Sequence, residues 1–409
     1  MIPLRSEYNH IKDFDERLCK LASQVRVLGE LNWPDTVKEQ FLAGVAKGER
    51  PRLAFQYPAI THPKQIEALQ GFLRDIGRDH PALDLMRANA ESFLSALHMI
   101  DARGTTRITE ISSQLYGRPS DTLPLYDGVT ILDAARFFLT TADSFTSERG
   151  YQEPEYIDAR ELFGFLGRHL REAGLIGHID LIFDAQIASK VSVTSSAIRI
   201  RSGAKFSIYE ADQLLHHEVM THALTSINGR NQPILSSMQF TAPRITRAQE
   251  GLAQFAELVS GAIHIHRLKR VALRIIAIDM ALSGADFMQL YDFFCENGQN
   301  AEESYLSAMR ILRGGTPNGG IVFLKDNVYL QGMLEVQAFF IQAFQQQDLH
   351  TLEILFSGKM ALEDVPALLA MQQQGLLQAP EFIPSWYQNI HTLVARLAFT
   401  QFASNLKTS

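Results

Sequence analysis

Apolar residues recur at steps of three and four along most of the chain, and that rhythm predicts helices. IEALQGFLRDI (66–76) and LDLMRANAESFLSALHMI (83–100) are two instances in a helix-rich N-terminal third. Between 178 and 209 the pattern changes. HIDLIFDA (178–185), KVSVTSS (190–196) and AIRIRSG (197–203) are rich in β-branched residues, and IRIR alternates with period two, as a half-buried strand does. KFSIY (205–209) extends this small sheet. After residue 246 the helical period returns, broken by the glycine loop RGGTPNGG (313–320) and by APEFIPSW (379–386). GERPRLAFQYPAITHP (48–63) and YGRPSDTLPLYDG (116–128) carry too many aromatics for flexible linkers and read as ordered loops. The expected class is α+β, predominantly helical. A helical N-terminal region (1–125) is expected to pack on a catalytic region (126–409), the whole forming one continuous compact domain.

Composition narrows the function classes. A chain of 409 residues can bury a large core without staples, and its two cysteines, Cys19 and Cys295, have neither disulfide-framework nor ribbon spacing. A reducing, cytoplasmic setting is expected. The N-terminal MIPLRSEYNHIKDFDERL has no apolar signal region, and no stretch approaches the roughly 20 apolar residues of a membrane span, so a soluble, unprocessed protein is expected. A formal charge of −7 with mixed signs argues against a nucleic-acid partner. The basic run HIHRLKRVALR (264–274) reads as a solvated helix face or a set of ion-pair partners.

The chemistry concentrates in YEADQLLHHEVMTHALTSINGR (209–230). His217-Glu218-Val-Met-Thr-His222 has the form HExxxH, one residue longer than the HExxH helix in which two histidines one turn apart hold zinc and the glutamate activates water. On a regular α-helix a five-residue separation leaves the two rings roughly 140° apart, whereas four residues leave them about 40° apart. A local i to i+5 widening brings them to one face, and such turns are frequent at functional sites. A widened turn between His217 and His222 is therefore expected. His216 points about 100° from His217 and reads as a neighbour or packing residue.

A third ligand is available in RAQEGLAQFAELVSG (247–261). Glu250 is followed by Gly251 and Ala253, small residues that let helix backbones approach closely, and Glu257 lies two turns on, on the same face. Either carboxylate also has a plain reading as a surface charge. His264 and His266, two residues apart, point away from each other and read as structural. Two histidines, one glutamate and an open position match a catalytic zinc site, with Glu218 as general base.

HExxxH followed by QEGLA resembles the bacterial QEGLA-motif family, whose eukaryotic relatives are the microtubule-associated tyrosine carboxypeptidases. RITEISSQLYGRPSD (107–121), INGRNQP (227–233), AMRILRGG (308–315), FLKDNVYLQG (323–332) and GLLQAPEFIPSW (375–386) extend the likeness over nearly the whole chain from about residue 30. The resemblance implies a zincin-like core, in which a small sheet precedes the motif helix and a second ligand-bearing helix. It also implies a Zn²⁺ metallopeptidase with His217, His222 and Glu250 as ligands and Glu218 as base. The expected substrate is the C-terminal tail of a peptide or protein, from which one aromatic or bulky residue is removed.

A carboxypeptidase needs a cation for the terminal carboxylate. Arg244, Arg247, Arg310, Arg313 and Lys325 are the candidates, each with a plain alternative as a surface or ion-pair residue. Tyr329 is a candidate donor to the oxyanion. Two other readings stay open: a metal-stabilised regulatory or binding protein without hydrolysis, and an aminopeptidase or endopeptidase on the same site. Glu257 would then serve a substrate amine.

Overall fold

The computed structural model describes residues 5–58, 60–124, 128–149, 155–185, 187, 190–194 and 196–404. Helices dominate, as the periodicity requires. Two of them, Pro63–Asp75 and Pro81–Asp101, start on a proline whose missing N–H costs a first helical turn nothing. The boundary placed between 125 and 126 falls outside the described residues.

Five short strands lie in the middle of the chain: β1 (Tyr156–Asp158), β2 (Asp180–Asp184), β3 (Val191–Val193), β4 (Ala197–Arg201) and β5 (Lys205–Ser207). They form two sheets, not the single small sheet expected. β4 is the centre of one, parallel to β2 and antiparallel to β3, while β5 pairs antiparallel with β1. Three residues are too few for periodicity to register, which is why β1 left no signal in the sequence.

β5 leads straight into the motif helix. Ser207 Oγ accepts the Glu210 N–H at 3.1 Å and Glu210 Oε2 accepts the Ser207 N–H at 2.8 Å, a reciprocal cap that starts Ile208–Leu214 at the last strand residue. No loop intervenes, so the sheet sets the direction of the helix.

Two cores meet at that helix. Leu162, Leu166, Ile198, Phe206, Val219, Ala223 and Ile227 form one, in which the sheets and helix Ala159–Glu172 pack on one face of the motif helix. The larger core joins Ile11, Phe93, Ile245, Phe255, Phe340, Phe356 and Leu397, so the N-terminal helices share buried surface with those after 246. Among the described residues no helix is long and apolar enough to cross a membrane.

Candidate metal centre and its surroundings

Leu215–Ala223 is a π-helix of nine residues, flanked without a break by α-helix on both sides. The widening is longer than the single turn expected between the two histidines. At its end the Leu224 N–H reaches Val219 O, five residues back, and Thr221 Oγ1 donates to His216 O at 2.9 Å. The threonine supports a carbonyl that the wide turn would leave under-bonded. The His217 and His222 rings consequently lie 4.9 Å apart between centroids, at 88°.

Both rings turn their Nε2 atoms to one oxygen. Glu250 Oε2 lies 3.4 Å from His217 Nε2 and 3.5 Å from His222 Nε2. The three ligand atoms fall within 4.8 Å of one another, the one group of this kind among the described residues. Two imidazole nitrogens and a carboxylate oxygen form the donor set that zinc takes at open sites. His264 and His266 do not join it; His264 packs instead on Tyr209, with ring centroids 5.0 Å apart.

Glu250 is carried by helix Thr246–Ser260, which packs between the motif helix and helix Asn327–Gln345. Its backbone approach to the latter is unusually close: a Cβ on Gly251 would stand 2.7 Å from Gly332 Cα. The small residue expected to serve a metal-bearing contact thus serves the helix that brings up Tyr329. Tyr329 donates to Glu250 Oε1 at 3.1 Å, and Lys325 Nζ donates to the same oxygen at 2.9 Å. One carboxylate oxygen faces the histidines and the other is held by two donors. Burial alone would raise the Glu250 pKa, but Lys325 and then His217 and His222 hold it well below the carboxylate range.

Glu257 is not a surface charge. It is fully buried, and its Oε1 lies 2.7 Å from Nδ1 of His217. Arg267 grips both of its oxygens at 3.2 Å. Burial pushes its pKa up, yet Arg267 and His217 together bring it down to about 2. A carboxylate so enclosed is not open to a substrate amine, which corrects that option for Glu257. The contact holds the His217 ring in one direction, as second carboxylates do at metal-binding imidazoles.

Glu218 follows His217, is half-buried, and makes no hydrogen bond or ion pair with another described residue. His216 turns elsewhere. Its Nδ1 is buried without a partner among the described residues, and the residue lines a cleft with Val259, Trp386 and Arg396.

Four of the five cations singled out in the sequence are held by carboxylates. Arg244 forms a two-pronged pair with Asp364, both bonds 2.8 Å, and also reaches Asn89 and Glu363. Arg247 pairs with Glu335 at 3.1 Å. Arg310 clasps buried Asp326 at 2.9 and 2.6 Å, with Arg274 a further 3.7 Å neighbour of that carboxylate, and Lys325 belongs to Glu250. A guanidinium already matched by a carboxylate fork has little left for a second one. Arg313 differs: its Nε is buried without a partner among the described residues, and burial and then Arg310 push its pKa down to about 10.

Lys359, on the loop after Ile354–Phe356, was not found from sequence. Its ammonium has no bonded partner among the described residues, and the carboxylates whose charge acts on it are Glu250 and Glu218. Burial pushes its pKa down to about 8. Only the motif-like string SGKM marks the place, and nothing in that string announces a site.

A helical α+β fold with two histidines and a glutamate converging from two helices defines a protein with a candidate open metal centre. The sequence profile of the microtubule-associated tyrosine carboxypeptidases matches residues 39–405, and the chain belongs to that family. It is 26% identical over 254 residues to microtubule-associated tyrosine carboxypeptidase 1 of Rattus norvegicus, covering 60% of this chain and 51% of the rat protein. The Mus musculus protein of the same name is 26% identical over 250 residues, 59% of this chain and 50% of its own length. The chain thus spans about half the length of the curated relatives it matches.

Proposed function

We propose that this protein is a zinc-dependent, cytoplasmic carboxypeptidase that removes one aromatic or bulky residue from the C-terminus of a peptide or protein tail. The observation that carries the reading is the convergence of His217, His222 and Glu250 beside a Glu218 with no bonded partner among the described residues. Membership of a family whose named relatives are tyrosine carboxypeptidases supports the reaction type.

His217 Nε2, His222 Nε2 and Glu250 Oε2 would hold the ion, and Glu257 keeps the His217 ring aimed. When bound there, zinc would supply Lewis acidity toward water and a substrate carbonyl. Glu218 takes a proton from the attacking water, whose oxygen bonds to the scissile carbonyl carbon. As the C–N bond breaks, the same carboxyl passes the proton to the departing amine. Tyr329 turns its hydroxyl from Glu250 Oε1 toward the carbonyl oxygen as that oxygen gains charge. Lys325, still bound to Glu250, keeps that ligand ionised while Tyr329 moves.

An aminopeptidase needs a carboxylate exposed to the substrate amine, and the enclosure of Glu257 removes the one assigned to it. A purely structural metal site has no use for an unpaired Glu218 next to its ligand. Digestion of a peptide library by the zinc-loaded protein, followed by mass spectrometry, tests the proposal. Loss of a single C-terminal residue supports it. Loss of an N-terminal unit, an internal cut or intact peptides would overturn it.

A further inference from the structure

Lys359 is fixed by its backbone to the short helix Ser236–Gln239, which follows the motif helix. Its N–H donates to Met238 O at 2.7 Å. A Cβ on the preceding Gly358 would stand 2.7 Å from Met238 Cβ and 3.2 Å from Gly229 Cα, so only glycine lets the loop lie this close. Asn228 Nδ2 donates to Phe356 O at 2.7 Å, and Gln232 Nε2 to Ser357 O at 3.1 Å. Asn228 and Gly229 belong to Leu224–Arg230, which continues the π-helix without interruption. The loop therefore rides on the same rod that carries His217, Glu218 and His222.

The charges around it leave one role open. Lys325 is matched by Glu250, Arg267 by Glu257, Arg310 by Asp326 and Arg244 by Asp364. Arg313 lies among Arg310, Asp326, Tyr329 and Tyr57, with neither Glu218 nor a member of the triad among the charges that act most on it. Lys359 is a half-buried ammonium in the field of both Glu218 and Glu250, and no described carboxylate bonds to it. A partly buried cation without a bonded counter-charge is incompletely solvated, and a substrate anion that supplies the counter-charge gains what the free protein lacks. In a peptide the terminal carboxylate carbon is only about 3–4 Å from the carbonyl carbon of the last peptide bond. The anion of a carboxypeptidase substrate must therefore come to rest beside the carbonyl that Glu218 serves, within reach of the charges that act on Lys359.

We propose that Lys359 receives the terminal carboxylate of the substrate and so makes the site select free C-termini. The inference rests on the carboxypeptidase reading and can be judged apart from it. Matched peptides ending in a free acid or in an amide are compared on wild type, Lys359→Met and Lys359→Arg, with folding checked by thermal melting. Wild type should favour the acid. Lys359→Met should lose about 10- to 100-fold in kcat/KM on the acid, chiefly through KM, and almost nothing on the amide, with Lys359→Arg recovering part of the preference. An equal loss on both peptides would assign Lys359 to the oxyanion or to packing and overturn the proposal. So would an unchanged preference.

Binding without turnover gives the second arm. N-acetyl-phenylalanine and its amide are titrated calorimetrically into chelator-treated Glu218→Gln protein, with and without Lys359→Met. Acid-selective binding that disappears with Lys359 supports the anchor even if no peptide is ever cut. Binding indifferent to Lys359 refutes it even if the protein proves to be a carboxypeptidase.

Discussion

Glu257 and Glu250 stand two turns apart on one helix and reach opposite edges of the same imidazole. Glu257 Oε1 is 2.7 Å from His217 Nδ1, while Glu250 Oε2 is 3.4 Å from Nε2. A neutral imidazole that gives Nδ1–H to Glu257 keeps its Nε2 lone pair for the side of Glu250 and His222, the orientation a metal ligand needs. The aim of His217 is thus set by tertiary contact as well as by its place on the motif helix.

Replacing Glu257 by Gln should therefore weaken metal binding without removing any ligand. An expected loss of about 10- to 100-fold in zinc affinity is measured by competition with a chromophoric chelator. Unchanged affinity would mean that the contact orients nothing.

The same carboxylate should leave a mark on acid stability. Its folded pKa of about 2 lies below the ordinary 4.5. A depressed carboxyl stabilises the fold fully above pH 4.5 and loses that contribution as pH falls toward 2. In chelator-treated protein, the stability gap between wild type and Glu257→Gln should be about 3 kcal/mol near neutrality and shrink across that window. Denaturant titrations at several pH values read it directly.

Glu218→Gln should keep zinc near one per chain and lose about 10²–10⁴-fold in peptide cleavage, since a proton-transfer group is removed and no ligand is. Elemental analysis and a C-terminal release assay check the two halves. Full activity in this variant would end the assignment of Glu218 as base.

Gly251→Ala would press a methyl into the backbone of Gly332, whose Cα stands 2.7 Å from the added Cβ. Backbone cannot swing aside as a side chain can, so a loss of at least about 2 kcal/mol in stability is expected. Because Glu250 is the preceding residue, zinc affinity should fall with it. A thermal melt and a metal titration test the two consequences together.

Arg244→Ala tests the reassignment of that residue. It leaves Asp364 without its two-pronged partner, so the expected effect is a stability loss of about 2 kcal/mol or more with little change in KM. A selective rise in KM with normal stability would return Arg244 to the substrate site.

Much of the fold and part of the site were legible in the sequence. The helices beginning at Pro63 and Pro81 follow from periodicity and proline punctuation, and the strands between 180 and 207 from β-branched alternation. The sheet pairing did not, because β1 is three residues long and its partner β5 lies far along the chain. The requirement for a widened turn at His217–His222 came from arithmetic on helical angles. Its nine-residue extent did not, since that depends on how Thr221 and the flanking helices satisfy displaced carbonyls.

The sequence by itself determined the helical α+β class, the pair of histidines with the spacing of a candidate site, and the carboxylates that share a face of the next helix. These are properties of residues joined by a few peptide units, whose relative directions the backbone period dictates. Tertiary structure alone decided which charges are matched and which are left open. Arg244 meets Asp364 across 120 residues and Lys325 meets Glu250 across 75, while Lys359, acted on by the charges of Glu250 and Glu218, has no bonded counter-charge among the described residues. The reason is physical: ion pairing depends on distances between elements packed from distant parts of the chain, and local spacing carries no information about those distances.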